Sequence, residues 1–505
     1  MNTIYKRFLP AGLFAVALLV SCIKDKGNYD YNFGNEVTIT YTTPSYSVNI
    51  GDTLRVSPIR KYSNPQDTTE FDHEWYYNGE LVSTKPVLEV VGKVAGSQRY
   101  SYFMVDRKSG VRNKPESILF VSVVSPYRVG WGILYEKDGK SEIAHVALLN
   151  GVYRNYTDIY KKANNGEELG SGPVMLKDFF YNTGRGLQVI QRGGQGSIEM
   201  DAVTMVKKNV TANIFTGGSA PVGFKPVDVA FATASDYLVD EDGRLYTRAF
   251  VPGFIPFSIP WTKTPMEIAG GMRISDIWDS WFRTTYRGLM HDKLNNRVLY
   301  ATMEPNYDQS SSAVTVNALP APSVPYPTNY TPLNNMGNWA YVWGGTFNDA
   351  GYYLAGALLL RNPTDQQLYY ETFTLSGADN VLTPLKRIVF PGNALVTADS
   401  KFAAVKARNY LFFSGGPSGQ NLYYYDAISE ATPRLYAALG SKVTKIVSSS
   451  EDANLMGVGL ENGTFILYDI SNATLISGQP RELHRLSGLG RIADVTLKGS
   501  VFKQQ

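Results

Sequence analysis

Asn462-Gly463-Thr464-Phe465-Ile466-Leu467-Tyr468 reads as a tight turn followed by a short apolar strand that ends in tyrosine. Asn-Gly supplies the positive φ angles of a two-residue hairpin turn, and aromatic and β-branched residues suit a strand. Looser versions recur upstream: Asp242-Gly243-Arg244-Leu245-Tyr246, Asn295-Asn296-Arg297-Val298-Leu299-Tyr300, Gln366-Gln367-Leu368-Tyr369 and Gly419-Gln420-Asn421-Leu422-Tyr423. The blocks Gly132-Ile133-Leu134-Tyr135 and Leu187-Gln188-Val189-Ile190 are two further candidates of the kind. Successive tyrosines lie 54, 69, 54 and 45 residues apart, the spacing of four-stranded units with insertions of unequal length. About seven such units across residues 127–500 predict a β-propeller, with residues 492–497 (IADVTL) closing the ring against the unit that begins near Trp131. Two stacked β-sandwiches are the alternative, because the repeat has no fixed motif.

Upstream, residues 37–125 are strand after strand. Val37 to Tyr41 alternates, Val48 and Ile50 precede the Gly51-Asp52 turn, and Leu54 and Val56 follow it at period two. Phe71, His73, Trp75 and Tyr77 share one face of a strand that ends at the Asn78-Gly79 turn. Tyr100 to Val105 and Ile118 to Val124 add two more strands around the turn at Lys108-Ser109-Gly110. About seven short strands with a central Trp predict an immunoglobulin-like sandwich with Trp75 in its core. The fold class expected is therefore all-β, a sandwich followed by a propeller. The best stretch for a helix, Ile274 to Arg283, is short and is assigned to an insertion between units.

The N-terminus predicts the compartment. Lys6 and Arg7 precede an apolar run from Phe8 to Val20 that is too short to span a bilayer, which takes about 20 apolar residues. Leu19-Val20-Ser21-Cys22 follows, resembling a bacterial lipobox, and Cys22 is the only cysteine. Residues 1–21 are expected to be removed as a signal peptide, and Cys22 to carry lipid. Two or three acyl chains at about 0.8 kcal/mol per buried methylene anchor stably. Residues 22–36 are polar and read as a tether.

Loss of residues 1–21 leaves 46 Lys plus Arg against 45 Asp plus Glu. A nucleic-acid binder needs a basic face to neutralise phosphates, and this balance supplies none. With no second cysteine the exported part rests on hydrophobic cores. No segment after residue 22 is long and apolar enough to cross a membrane.

Catalytic chemistry needs groups that attack, transfer protons or hold a metal. His73, His145, His291 and His484 each stand alone, with no second His or Cys at ligand spacing, so no metal and no cofactor is expected. The run Gln191 to Gly196 lacks a following helix signal and reads as a hairpin turn rather than a phosphate loop. No sialidase-type Ser-x-Asp-x-Gly-x-Thr-Trp box occurs. No catalytic residue is assigned.

Two long inserts carry more information. Residues 251–287 hold Trp261, Trp278 and Trp281, and residues 303–343 hold Tyr307, Tyr326, Tyr330, Trp339 and Trp343 among prolines and asparagines. Five of the seven tryptophans sit there, and rigid aromatic surface suits contact with sugars, peptides or another protein. These eight residues are the expected contact surface; the alternative is that they pack beneath their own loops.

Taken with the lipobox, Cys22-Ile23-Lys24-Asp25-Lys26-Gly27-Asn28-Tyr29-Asp30-Tyr31, Phe71-Asp72-His73-Glu74-Trp75 and Tyr102-Phe103-Met104-Val105-Asp106-Arg107 resemble the PKD-like lipoproteins of the Bacteroidetes over residues 1–125. The resemblance implies an outer-membrane lipoprotein, displayed on the cell surface, working beside a Sus-type importer. Such an importer is a TonB-dependent barrel with a substrate-binding lipoprotein. The acidic signal after the acylated cysteine that favours display is only Asp25, flanked by Lys24 and Lys26, which leaves the periplasmic face open. The expected role is capture of an oligopeptide or glycan; a propeller hydrolase or lyase acting on polysaccharide is the alternative.

Overall fold

The computed structural model describes residues 35–50, 52–65, 70–93, 95–181, 184–231, 235–249, 257–278, 287–304, 313–347, 353–376 and 381–499. Cys22, Tyr307 and Trp281 lie outside them. The chain is all-β and divides into two compact units, Met1–Val124 and Ser125–Gln505.

In the first unit, ten strands lie among the described residues. A sheet runs in the order Ser45–Asn49, Leu119–Val124, Gly96–Asp106, Phe71–Tyr77, Glu80–Ser83, with Arg112–Asn113 added to Gly96–Asp106. Two strand pairs, Val37–Thr40 with Ile59–Tyr62 and Thr53–Val56 with Leu88–Val91, cover one face of it. Alternation sets the faces: Tyr100, Tyr102, Met104, Leu119, Val121 and Val123 are buried while Arg99 and Phe120 face out. Trp75 is fully buried against Tyr102, with ring centroids 4.2 Å apart, and its indole N–H donates to the Lys85 carbonyl at 2.9 Å. That bond removes the cost of burying the indole.

The second unit is a series of antiparallel sheets, each open. Strand Arg491–Lys498 pairs with Gly130–Lys137, Trp131 facing Leu497, as the sequence predicts for its closing strand. Lys140–Leu149 and Val152–Tyr156 complete that set, and a single pairing, Ser141 with Gly170, joins it to Gly170–Tyr181, Gly184–Gly194, Ile198–Asp201 and Lys207–Val210. Pro226–Phe231, Ser235–Asp240 and Leu245–Ala249 form the next sheet. Four-stranded sheets then span Ile274–Trp278 to Ala313–Ala318, Ala340–Phe347 to Leu382–Val389, Phe402–Val405 to Arg434–Ala438, and Val443–Ser448 to Arg481–Leu486. Every Leu-Tyr block from Leu245-Tyr246 to Leu467-Tyr468 lies in the third strand of its sheet.

Hydrophobic clusters join each set to the next, and the last, around Trp131, Phe465 and Ile492, joins the final sheet to the first. Sheets buried on both faces need apolar runs rather than alternation. In Tyr353–Arg361, Leu358 and Leu360 serve one cluster while Ala357 and Leu359 serve the other. Leu455–Leu460 solves the same problem differently. Met456 and Val458 fill one side, and Gly457 leaves room for Trp131, whose ring a Cβ there meets at 2.7 Å.

Two expectations change. Ile274–Trp278 is a strand, not a helix, and Ala340–Phe347 makes Trp343 part of a sheet rather than of an insert. Among the described residues, no helix is long and apolar enough to cross a membrane.

Candidate functional site

The first strand of each set lies beside the first strand of the next. Gly170–Tyr181, Pro226–Phe231, Ile274–Trp278, Ala340–Phe347, Phe402–Val405, Val443–Ser448 and Arg491–Lys498 follow in that order, and Arg491–Lys498 touches Gly170–Tyr181 again. Six of the seven carry a register shift toward the start of the strand. A bulge bends the strand and re-aims the side chain that follows. The residues directly after it are Met175, Asp228, Asp276, Trp343, Lys445 and Asp494.

Three of these are carboxylates, and each accepts a bond from the next inner strand. The Leu176 N–H donates to Asp494 Oδ2 at 2.8 Å, and Lys445 Nζ lies 2.9 Å from Asp494 Oδ1. The Ile277 N–H donates to Asp228 Oδ2 at 3.3 Å. The Tyr341 hydroxyl donates to Asp276 Oδ2 at 2.5 Å and accepts from Trp278 Nε1 at 2.8 Å. Burial, with Asp276 beside it, holds the Tyr341 phenol far above its ordinary range, so it stays a donor.

His291 stacks on Tyr341 with ring centroids 4.0 Å apart. Its Nε2 is 3.0 Å from Asn296 Oδ1, while Asn296 Nδ2 donates to the carbonyls of Gly337 and Trp339. Asn296 Oδ1 is thus the acceptor, Nε2 carries the proton, and Nδ1, 2.6 Å from Ser275 Oγ, accepts from the serine. Burial lowers the His291 pKa and keeps the ring neutral. Ser275, the bulged residue, is exposed. Nothing in the sequence marks this trio, because bulge, strand and turn supply one residue each. Among the described residues no group of His, Cys, Asp or Glu is arranged to hold a metal.

The expected contact residues separate. Trp261 is fully buried among Phe215 and Tyr246, with the Arg248 guanidinium 4.4 Å from its ring centroid; Trp278 and Tyr330 are buried as well. Trp261 and Tyr330 fill cores because their segments fold back on the sheets, Trp261 pairing through its backbone with Phe215, and Trp278 does so because it ends an inner strand. Trp339, Trp343 and Tyr326 are half-buried. Tyr326 stacks on Tyr330, whose hydroxyl donates to the Thr372 carbonyl at 3.0 Å. The Arg387 guanidinium lies 4.2 Å from the Trp339 ring centroid and 4.0 Å from that of Tyr369, the two rings meeting edge to face 5.3 Å apart. Trp343, directly after its bulge, occupies the position that Asp228, Asp276 and Asp494 hold elsewhere.

Beneath this insert, Glu371 is fully buried. Burial pushes its carboxyl up to about 7, outweighing the Thr331 N–H at 3.1 Å and Arg387 at 3.5 Å. The folded state therefore keeps a proton that the unfolded chain, with a pKa near 4.5, releases. Stability is full below about 4.5 and declines as pH rises through about 7. Glu371→Gln should remove that decline, so that the variant exceeds the parent by about 2–3 kcal/mol at pH 8 and matches it near pH 4.5. Urea midpoints across this range measure it; parallel slopes for parent and variant contradict the assignment.

Residues 22–173 match the model of the PKD-like family. No curated protein matches the chain. Among solved structures, the chain is similar to a quinonprotein alcohol dehydrogenase-like protein from Bacteroides thetaiotaomicron, with a TM-score of 0.46 and 14% identity over 91% of this chain and 99% of that one. It is also similar to Raptor from Chaetomium thermophilum, with a TM-score of 0.28 and 10% identity over 44% of this chain and 18% of that one. The chain carries a PKD-like domain at its N-terminus.

Proposed function

We propose that this chain is an outer-membrane lipoprotein, anchored through Cys22, that binds an oligopeptide or glycan beside a Sus-type TonB-dependent importer. In this reading the PKD-like domain is an immunoglobulin-like sandwich and the second unit is a seven-bladed β-propeller. The cyclic order of the seven inner strands and of their clusters supports the propeller. One observation carries binding over catalysis: Asp228, Asp276 and Asp494 spend their carboxylates on the neighbouring strand. They hold a rigid ring in which Trp343, and beyond it Trp339 and Tyr326, offer half-buried aromatic surface. A tethered binder raises the local ligand concentration at the importer.

The test is made in native membranes. Labelled fatty acid should enter the chain and be lost in Cys22→Ser, and the importer should co-purify with it. Trp343→Ala with Trp339→Ala should weaken ligand retention by about tenfold, as expected for lost aromatic anchors. Unchanged retention and unchanged importer association would overturn the reading.

One observation favours a second reading, a hydrolase. Ser275, neutral His291 and Asn296 stand in the order of nucleophile, base and orienting group. Covalent labelling by a fluorophosphonate that Ser275→Ala abolishes would support it.

A further inference from the structure

We infer that the uncovered face of the six-stranded sheet in the N-terminal unit is a binding site for an acidic glycan, one whose sugars carry carboxylates. The site is independent of the ring residues on which the proposed function rests.

The face opposite Trp75 carries a groove of about 510 Å³ lined by Tyr76, Arg99, Ser101, Phe103 and Arg112, together with the Asn78-Gly79 turn. Two arginines and no acidic residue line it. Arg112 is fixed: its guanidinium lies 4.3 Å from the Phe103 ring centroid, bonds Glu74, and approaches the Tyr76 hydroxyl at 3.3 Å. Arg99 is exposed, two residues from Ser101 on the same face, and makes no ion pair with a described residue. Its register partner on the neighbouring strand is Phe120, an aromatic left 44% exposed. The groove thus offers an uncompensated guanidinium fork, a hydroxyl and exposed ring surface.

Charge complementarity selects an anion, and the fork selects a planar carboxylate, which it binds through two parallel bonds. The strands beneath select the polymer. Beneath the groove, Phe71–Tyr77 pairs along its length with Tyr100–Asp106, and Trp75–Tyr77 pair also with Glu80–Ser83. The groove lies over the face of this ladder, where side chains are presented rather than the backbone edges used for strand addition to an extended peptide. Recognition must pass through side chains, and flat rings beside forked donors fit pyranose faces bearing carboxylates.

The probe is polygalacturonate, with its methyl ester as the uncharged control, applied to the full chain. The parent should be retained by the acid and not by the ester, with retention falling as salt rises. Arg99→Ala, at an exposed residue, and Tyr76→Ala, at a half-buried one, are expected to melt with the parent and should each weaken retention by about tenfold, and Arg99→Lys less. Trp343→Ala should leave it unchanged, which separates this site from the ring. Equal retention of acid and ester, indifference to Arg99→Ala, or equal competition by polyglutamate would each overturn the assignment.

Discussion

A chain that stops after Gly490 should fail to form the second unit cooperatively. Strand Arg491–Lys498 supplies the whole ladder against Gly130–Lys137. It also buries Ile492 and Val495 in the cluster that joins the last sheet to the first. Burying two such side chains contributes about 3–6 kcal/mol. Asp494 holds the Leu176 N–H and Lys445, and buried Lys498 donates to the carbonyls of Tyr127 and Ala202. Without the strand those partners are buried and unsatisfied or face water. A typical domain has about 5–15 kcal/mol of net stability, so the sum of these losses is decisive. The expected signs are lost near-UV dichroism and a broadened urea transition, with recovery on adding a synthetic peptide of residues 491–505. A truncated chain that melts with the parent would show that the ring does not depend on its closing strand.

The parts legible in the sequence and the parts hidden in it differ by strand position. Third strands were readable because the turn before them needs Asn, Asp or Gly and the strand itself is buried: Asn462-Gly463 before Phe465, Asp242-Gly243 before Leu245. Inner strands were not. In Ile274-Ser275-Asp276-Ile277-Trp278 the bulge inserts Ser275, so Ile274, Ile277 and Trp278 fall at helical spacing and mimic an amphipathic turn. Trp343 reads as part of an insert for the same reason, since the shift between Tyr341 and Trp343 breaks alternation. The Asp-Val or Asp-Ile pair at Asp228, Asp276 and Asp494 is present in the sequence, but a dipeptide is too common to mark a site without the bulges that give the three the same position. Aromatic content alone could not sort Trp261 from Trp339, because a proline-rich insert that folds back on its sheet has the composition of one that faces outward.

Replacing Arg248 by Met should cost the second unit about 3–5 kcal/mol. Arg248 is buried, with Asp236 Oδ2 at 2.5 Å and Glu199 Oε1 at 2.6 Å, both acids fully buried. Glu199 belongs to strand Ile198–Asp201 while Asp236 and Arg248 belong to the next sheet, so the guanidinium ties two sheets together. Its face also lies over Trp261. Methionine preserves most of the volume but leaves two carboxylates in a low-dielectric interior without their cation, and desolvation then dominates. Adding Glu199→Gln and Asp236→Asn to Arg248→Met removes the stranded charges and should recover more than half of the loss. A single variant whose deficit is under about 1 kcal/mol would mean that water reaches the triad, and Trp261 would then be left as the element that holds these two sheets in register.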